Sequence, residues 1–216
     1  MKMNPEKPFR IIGIDPGFHH LGLTVIDVDR ETLDMKVIHC SMMDLRKLRC
    51  KNPNCLYEKN DGSGGHRTLH YVEENAEWFK GADYVVMEQQ PIMSTLKDVE
   101  HVLLLLIKQQ FSNGRRDYAR QISPRTLHAH FNMSSEKVER RVEVVELTKH
   151  LLGGHRAFDN AVEKDHISDS CAFALLFVHT VLPEIIRKSK PNPFAKFSFN
   201  PAAALDLSTG RQTPES

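Results

Sequence analysis

The sequence predicts one α/β domain, a mixed sheet flanked by helices. Three observations carry this. Apolar runs of strand length stand at residues 10–15, 21–27 and 35–42 and in "ADYVVMEQQP", 82–91. The first three are joined by connections too short for a crossover, so they are expected to pair antiparallel. Helical patterns and one further short strand follow the fourth, the order that lays helices on the faces of a sheet.

The elements follow in chain order. Residues 10–15 read as a buried strand, stopped by Pro16-Gly17. Leu21, Leu23 and Val25 alternate with Gly22, Thr24 and Ile26 as a second strand, and Met35 to Met42 form a third. "CKNPNCLYEKNDGSGG", 50–65, has the composition of a loop or insert, and a helix over 66–79 follows. The fourth strand ends in Glu88, and Thr95-x-x-Asp98 fits a cap for a helix over 96–111. "YARQISP" reads as a fifth strand, with helices near 124–131 and 135–152, the latter ended by Gly153-Gly154. The last helix spans 165–186, with Cys171, Ala172, Ala174, Leu175, Val178 and Val181 on its apolar side. A tail rich in Pro, Asn, Ser and Thr closes the chain and is expected to be disordered. The expected organisation is a domain over 8–188, with a Cys/His insert at 48–70, and a tail over 189–216.

Composition narrows the function. The chain has 216 residues, 40% hydrophobic and 26% charged, in the range of an ordinary globular domain. No uninterrupted apolar run approaches the ~18 residues of a membrane span, and the first residues lack a signal-peptide core. An intracellular protein, neither secreted nor membrane-bound, is expected. Cys40, Cys50, Cys55 and Cys171 are too unevenly spread for a disulfide framework, and Cys171 reads as a small core residue. Net charge is +1, but between Lys108 and Arg141 eight basic residues face three acids. That segment (Lys108, Arg115, Arg116, Arg120, Arg125, Lys137, Arg140, Arg141) is either a solvated surface or a phosphate-binding face.

Four acids stand out by position. Asp15 ends the first strand and Glu88 the fourth, while Asp165 and Asp169 open the last helix with His166 between them. Singly, each reads as a turn residue or a partner of the helix dipole. Either Asp165 or His166 can share a helix face with Asp169. Together, two strand-end acids and two helix-start acids can converge at one sheet edge, where without compensation they would repel. Oxygen ligands point to Mg²⁺, or Mn²⁺ in its place. A pair of such ions at ~3.5–4 Å can activate water and stabilise the leaving oxygen of a phosphodiester.

"IGIDPG" with its following hairpin, "VVMEQQP" and "KDHISDSCAFAL" together resemble the RuvC-type Holliday junction resolvases of the RNase H-like superfamily, most closely those of poxvirus type from large DNA viruses. The resemblance covers residues 10–186. It implies an RNase H-like fold with a mixed five-stranded sheet and a homodimer. It further implies Mg²⁺-dependent nicking of four-way junctions and other branched DNA by paired symmetric cuts that leave 5′-phosphates. If the chain is viral, its place is a replication site in host cytoplasm or nucleus. By motif position, Asp15 and Glu88 are the implied metal ligands, Asp169 the last family acid, and His166 the remaining position, with Asp165 one residue earlier as substitute. A basic residue before the penultimate helix is implied to hold the scissile phosphate. Lys137, Arg140 and Arg141 are the choices, with Lys137 put first. Arg115, Arg116, Arg120 and Arg125 would join these three in tracking DNA backbones.

The insert carries Cys50-x4-Cys55-x10-His66-x3-His70, ligand types suited to a structural Zn²⁺, with the two histidines one turn apart. The alternative is two thiols and two surface imidazoles with no shared ion. Three other functions fit part of the pattern: a nuclease for RNA–DNA hybrids, an actin-like ATPase, and a non-catalytic junction-binding protein. The ATPase would need a second glycine-rich phosphate hairpin, and none is present beyond Gly153-Gly154.

Overall fold

The structure, a computed structural model, describes residues 7–48 apart from 18, and 64–189 apart from 92, 93 and 95. Cys50 and Cys55 of the expected insert, Thr95 of the expected cap, and the tail from 190 lie outside those residues.

Five strands form one sheet: β1 (Phe9–Asp15), β2 (His20–Val28), β3 (Met35–Asp44), β4 (Tyr84–Glu88) and β5 (Ala119–Ile122), in the order β3-β2-β1-β4-β5. β1, β2 and β3 pair antiparallel through their short connections, as expected. β4 runs parallel to β1, and β5 parallel to β4. Parallel pairing puts the carboxyl ends of β1 and β4, and hence Asp15 and Glu88, at the same edge.

Strand alternation divides the core. Ile12, Ile14, Leu21, Leu23, Val25, Val85 and Met87 point to one face. There they meet Tyr71 and Val72 of α1 (Gly64–Glu74), Phe79 of α2 (Ala76–Gly81), and Leu103 and Ile107 of α3 (Leu96–Phe111). Phe9, Ile11, Ile26, Val28 and Val86 point to the other. That face is covered by α7 (Asp165–Thr180), with Leu127 of α4 (Pro124–His130), Val144 and Leu152 of α5 (Lys137–Leu152), Phe158 of α6 (Arg156–Asp159) and Leu182 of α8 (Leu182–Ser189). Phe173 and Phe177 of α7 are at most 1% exposed. Burial of such rings contributes about 2–3 kcal/mol each. Cys40 and Cys171 are buried free thiols, as Cys171 was expected to be.

Several boundaries differ from the sequence reading. The helix expected over 66–79 breaks at Asn75, whose amide donates to the Tyr71 carbonyl at 2.9 Å and starts a new turn. The helix expected over 165–186 divides at Val181 into α7 and α8. At the start of α3 the Ser94 hydroxyl accepts from the Leu96 N–H at 3.1 Å. The apolar stripe of α3 is spent inside: Val99, Leu103, Ile107 and Phe111 are buried, and Leu105 is the large apolar side chain left exposed on this helix. The stretch Asp165–Lys188 is long and apolar enough to cross a membrane by length and composition. In the fold its first part is the central helix against the sheet, and 56% of its most apolar window is buried inside the protein.

Two glycines set how α7 sits. A Cβ on Gly13 would lie 1.9 Å from the Ser170 carbonyl oxygen, and one on Gly22 would lie 2.0 Å from that of His166. The helix backbone therefore rests directly on β1 and β2. Thr24, next along on β2, has its hydroxyl 2.7 Å from that of Ser170 and donates to the Ile167 carbonyl at 3.3 Å, so the seam is also polar and satisfied. Gly13→Ala is expected to push α7 off the sheet and to cost about 1–3 kcal/mol or more, the scale of overpacking. Urea denaturation would show this as a lowered midpoint, and a stability equal to wild type would contradict the packing described.

Candidate active site

Asp15 is the last residue of β1 and pairs across the ladder with Gly22. Because Gly22 has no side chain, the first turn of α7 settles over that pair, and His166 comes to Asp15: its Nδ1 is 2.7 Å from Asp15 Oδ2. Asp15 is 6% exposed. The hydrogen bond to Asp15 raises the His166 pKa above its ordinary value against the lowering effect of burial, and the imidazole N–H partners the buried carboxylate. Asp165, one residue earlier, turns away to the Arg141 guanidinium, Nε to Oδ2 3.2 Å. His166 thus stands against Asp15 and Asp165 against Arg141, and both line the same cavity.

Glu88 ends β4 beside Asp15. Burial first, then the charge of and hydrogen bond with Asp15, push its pKa from 4.5 up to about 9. Asp169, one turn into α7 beyond Asp165, rises from 3.8 to about 8, again through burial first and the charges of Asp15 and Asp165 second. Two carboxyls are therefore held where their ionised forms are costly, a cost that a bound cation would relieve. Asp15, Glu88, Asp165, His166, Asp169, Lys137, Arg140 and Arg141 all line one cavity of about 470 Å³.

A second set of residues holds Glu88, and the sequence reading missed part of it. Gln90, 6% exposed, donates from its side chain to Glu88 Oε2 at 2.9 Å. Its backbone N–H donates to Glu100 Oε2 at 2.8 Å. Glu100 is fully buried in α3 and also receives Lys97 Nζ at 2.9 Å and the Gln121 side-chain amide. A carboxylate inside α3 thus fixes the backbone after β4, and that backbone aims an amide at Glu88. The signal available in the sequence was an acid on the buried stripe of α3, three residues before Leu103.

The basic segment does not form one face. Lys137, the first residue of α5, is exposed at the cavity and has no hydrogen bond or ion pair among the described residues. Arg140 is engaged with the Ser134 and Ser135 carbonyls at 3.2 and 2.9 Å. Arg125 is exposed on α4, beside the lining residues Pro124 and Leu127. Arg115, by contrast, donates to the Asp83 and Ala82 carbonyls ahead of β4, at the end of the sheet opposite Glu88. Arg116 follows in the same turn before β5, and Arg120 at the start of β5 pairs with Asp117 at 3.1 Å. Summing charge along the chain joined residues that the length of β5 and its parallel partner β4 separates.

Of the expected zinc ligands, His66 and His70 lie on α1 with their Nε2 atoms 2.8 Å apart, as the i, i+4 spacing requires, and His70 Nδ1 is 3.0 Å from Glu73. Cys50 and Cys55 are outside the described residues.

The fold is similar to that of solved Holliday junction resolvases. The chain matches the fowlpox virus resolvase, solved with Holliday junction DNA, at a TM-score of 0.55 and 14% identity, covering 81% of this chain and 99% of that one. It matches the yeast mitochondrial Holliday junction resolvase Ydc2 at 0.56 and 14%, covering 86% and 85%. Thermus thermophilus RuvC matches at 0.48 and 19%, a likeness on which nothing here rests. No family model matches the chain, and no curated protein matches it by sequence. At these identities the likeness is one of fold.

Raised folded-state pKa values mean that Glu88 and Asp169 bind protons more tightly in the folded protein than in the unfolded one. The stability they contribute is full below their ordinary values of 4.5 and 3.8 and is lost as pH climbs toward about 9 and 8. The raised His166 pKa acts in the same direction. His39, His66, His128 and His179 have lowered values and act in the opposite direction until they are neutral in both states. Above about pH 7 the metal-free protein is therefore expected to melt at lower temperature as pH rises, and Glu88→Gln to flatten the fall. Calorimetry at a series of pH values checks this, and a flat wild-type profile would contradict it.

Proposed function

We propose that the chain is a metal-dependent, structure-specific endonuclease that resolves four-way DNA junctions as a homodimer. The observation that carries this is the convergence of Asp15, Glu88, His166 and Asp169, from three distant segments, in one cavity on a resolvase fold. The donor set fits Mg²⁺ or Mn²⁺: oxygen ligands predominate, and two of the carboxyls are destabilised as anions until a cation joins them. Asp15, Glu88 and Asp169 would hold two ions, with His166 supporting Asp15 through its Nδ1 hydrogen bond in place of the direct ligation expected of it, and Asp165 in reserve. When bound, such ions supply an activated water and stabilise the departing oxygen of a phosphodiester.

The chain's own residues have the remaining tasks. Gln90, held by Glu100, keeps Glu88 turned into the cavity. Arg141 restrains Asp165 at the rim. Lys137 is exposed at the same cavity and has no ion pair among the described residues, so it is the basic group available to a scissile phosphate, whereas Arg140 is committed to its own loop. Lys137, Arg125 and Arg141 line the approach for DNA backbones. Arg115 bonds the protein's own backbone at the far end and is assigned to structure.

A labelled four-way junction, a flap and an RNA–DNA hybrid, each incubated with Mg²⁺ and with EDTA, test this reading. Paired symmetric nicks with 5′-phosphates, on the junction and only with Mg²⁺, are expected. Asp15→Asn should lower cleavage at least ~100-fold, the scale of losing one charge-stabilising group, while leaving junction binding intact. Lys137→Ala should flatten the dependence of log affinity on log salt by about 1, and Arg115→Ala should not. Preferential cutting of the hybrid, or undiminished cutting by Asp15→Asn, would overturn the assignment.

A further inference from the structure

A second group of ligand atoms lies beside the acidic cavity, and it differs in chemistry. His20 opens β2, Glu163 lies in the loop before α7, and His166 is the second residue of α7. The close approach of α7 at Gly22 brings them together. His20 Nδ1 is 2.9 Å from Glu163 Oε2, His166 Nε2 is 3.8 Å from the same oxygen, and one ligand atom from each residue lies within 4.8 Å of the others. The two rings stand 5.6 Å apart at 67°. Ligands about 2.0–2.2 Å from a tetrahedral ion stand roughly 3.3–3.6 Å from one another, so the observed spacing closes on an ion with small side-chain shifts.

The far nitrogen of His166 is hydrogen-bonded to a carboxylate, whereas that of His20 has a carboxylate nearby but beyond hydrogen-bond reach. His166 Nδ1 meets Asp15 Oδ2 at 2.7 Å. His20 Nε2 lies 3.9 Å from Asp44 Oδ2, with the Arg46 guanidinium 3.4 Å from the same nitrogen. A carboxylate behind a ligating imidazole fixes its tautomer and raises its basicity, the usual surround of a metal-bound histidine.

We propose that His20 Nδ1, Glu163 Oε2 and His166 Nε2 form a separate three-ligand site for a divalent cation of the zinc class. Two imidazoles and one carboxylate suit Zn²⁺ and its first-row neighbours and disfavour Mg²⁺. Three protein ligands leave a fourth position for water or an incoming group. The three residues line a cavity of about 780 Å³ with His19, Val142, Val162 and Arg141, so that position has room. On binding, the ion takes the place of the proton between His20 and Glu163. His166 joins the two sites, giving Nε2 to this ion and its Nδ1–H to Asp15.

The site does not depend on the nuclease reading, and its test does not use cleavage. The full chain, saturated with Mg²⁺, is titrated with Zn²⁺ by calorimetry and with Co²⁺ by absorption, alongside His20→Ala, Glu163→Gln and Glu88→Gln. Glu163 is half exposed, so Glu163→Gln leaves the fold unstrained, and circular dichroism verifies each variant. His20→Ala and Glu163→Gln are each expected to lose one Zn²⁺ equivalent, or to bind it at least ~10-fold more weakly, while Glu88→Gln retains it. The lost Co²⁺ signal should lack sulfur charge-transfer bands, which separates it from any thiolate site. Equal stoichiometry and affinity in wild type, His20→Ala and Glu163→Gln overturns the proposal. Loss in Glu88→Gln alone also overturns it, by placing the ion in the acidic cavity.

Discussion

Helix α7 rests on the sheet at a distance that no side chain would permit. Ser170 and His166 place their carbonyl oxygens where the Cβ atoms of residues 13 and 22 would stand, and those residues are glycines. Most of the candidate site depends on this contact. It brings the first turn of α7 to the carboxyl end of β1, so that Asp169 and His166 reach Asp15. It also lets the apolar remainder of α7 cover the sheet with Cys171, Phe173, Ala174 and Phe177. One packing decision serves both stability and the gathering of charge.

The gathered charge has a physical consequence. Asp15 is offset by His166, but Glu88 and Asp169 remain partly buried carboxyls near another acid, and both resist ionisation. Gln90 donates one hydrogen bond to Glu88, too little to reverse the effect of burial and neighbouring charge. A fold does not ordinarily retain such an arrangement for its own stability, because apolar groups of the same shape would cost less. Under the proposed function, cation binding would supply the missing favourable term.

Much of this was legible in the sequence. Four apolar runs and their spacing gave the strands, and their short or long connections gave the pairing directions. Carboxylates at the ends of two of those strands, with an acid pair opening an apolar helix, marked the cluster that the fold gathers around one cavity. What was not legible has specific causes. Gly13 and Gly22 look like ordinary weak points of a strand until the partner helix is in place. Glu100 is an acid in an apolar helix, and its role depends on a backbone N–H ten residues earlier in the chain. Asp165 and His166 are adjacent in sequence, and only the helix phase separates the one at Arg141 from the one at Asp15. Arg115 and Lys137 counted alike as positive charge, although a parallel strand pair carries them to opposite ends of the sheet. His20 and Glu163 carried no motif at all, since their proximity exists only in the fold.

Crystals of the protein grown or soaked in Mn²⁺ and measured at the manganese absorption edge test the central claim most directly. The account predicts anomalous density between Asp15, Glu88 and Asp169, absent in crystals of Asp15→Asn. Saturating Mn²⁺ with no density among those three carboxylates, or the same density retained in Asp15→Asn, would contradict it.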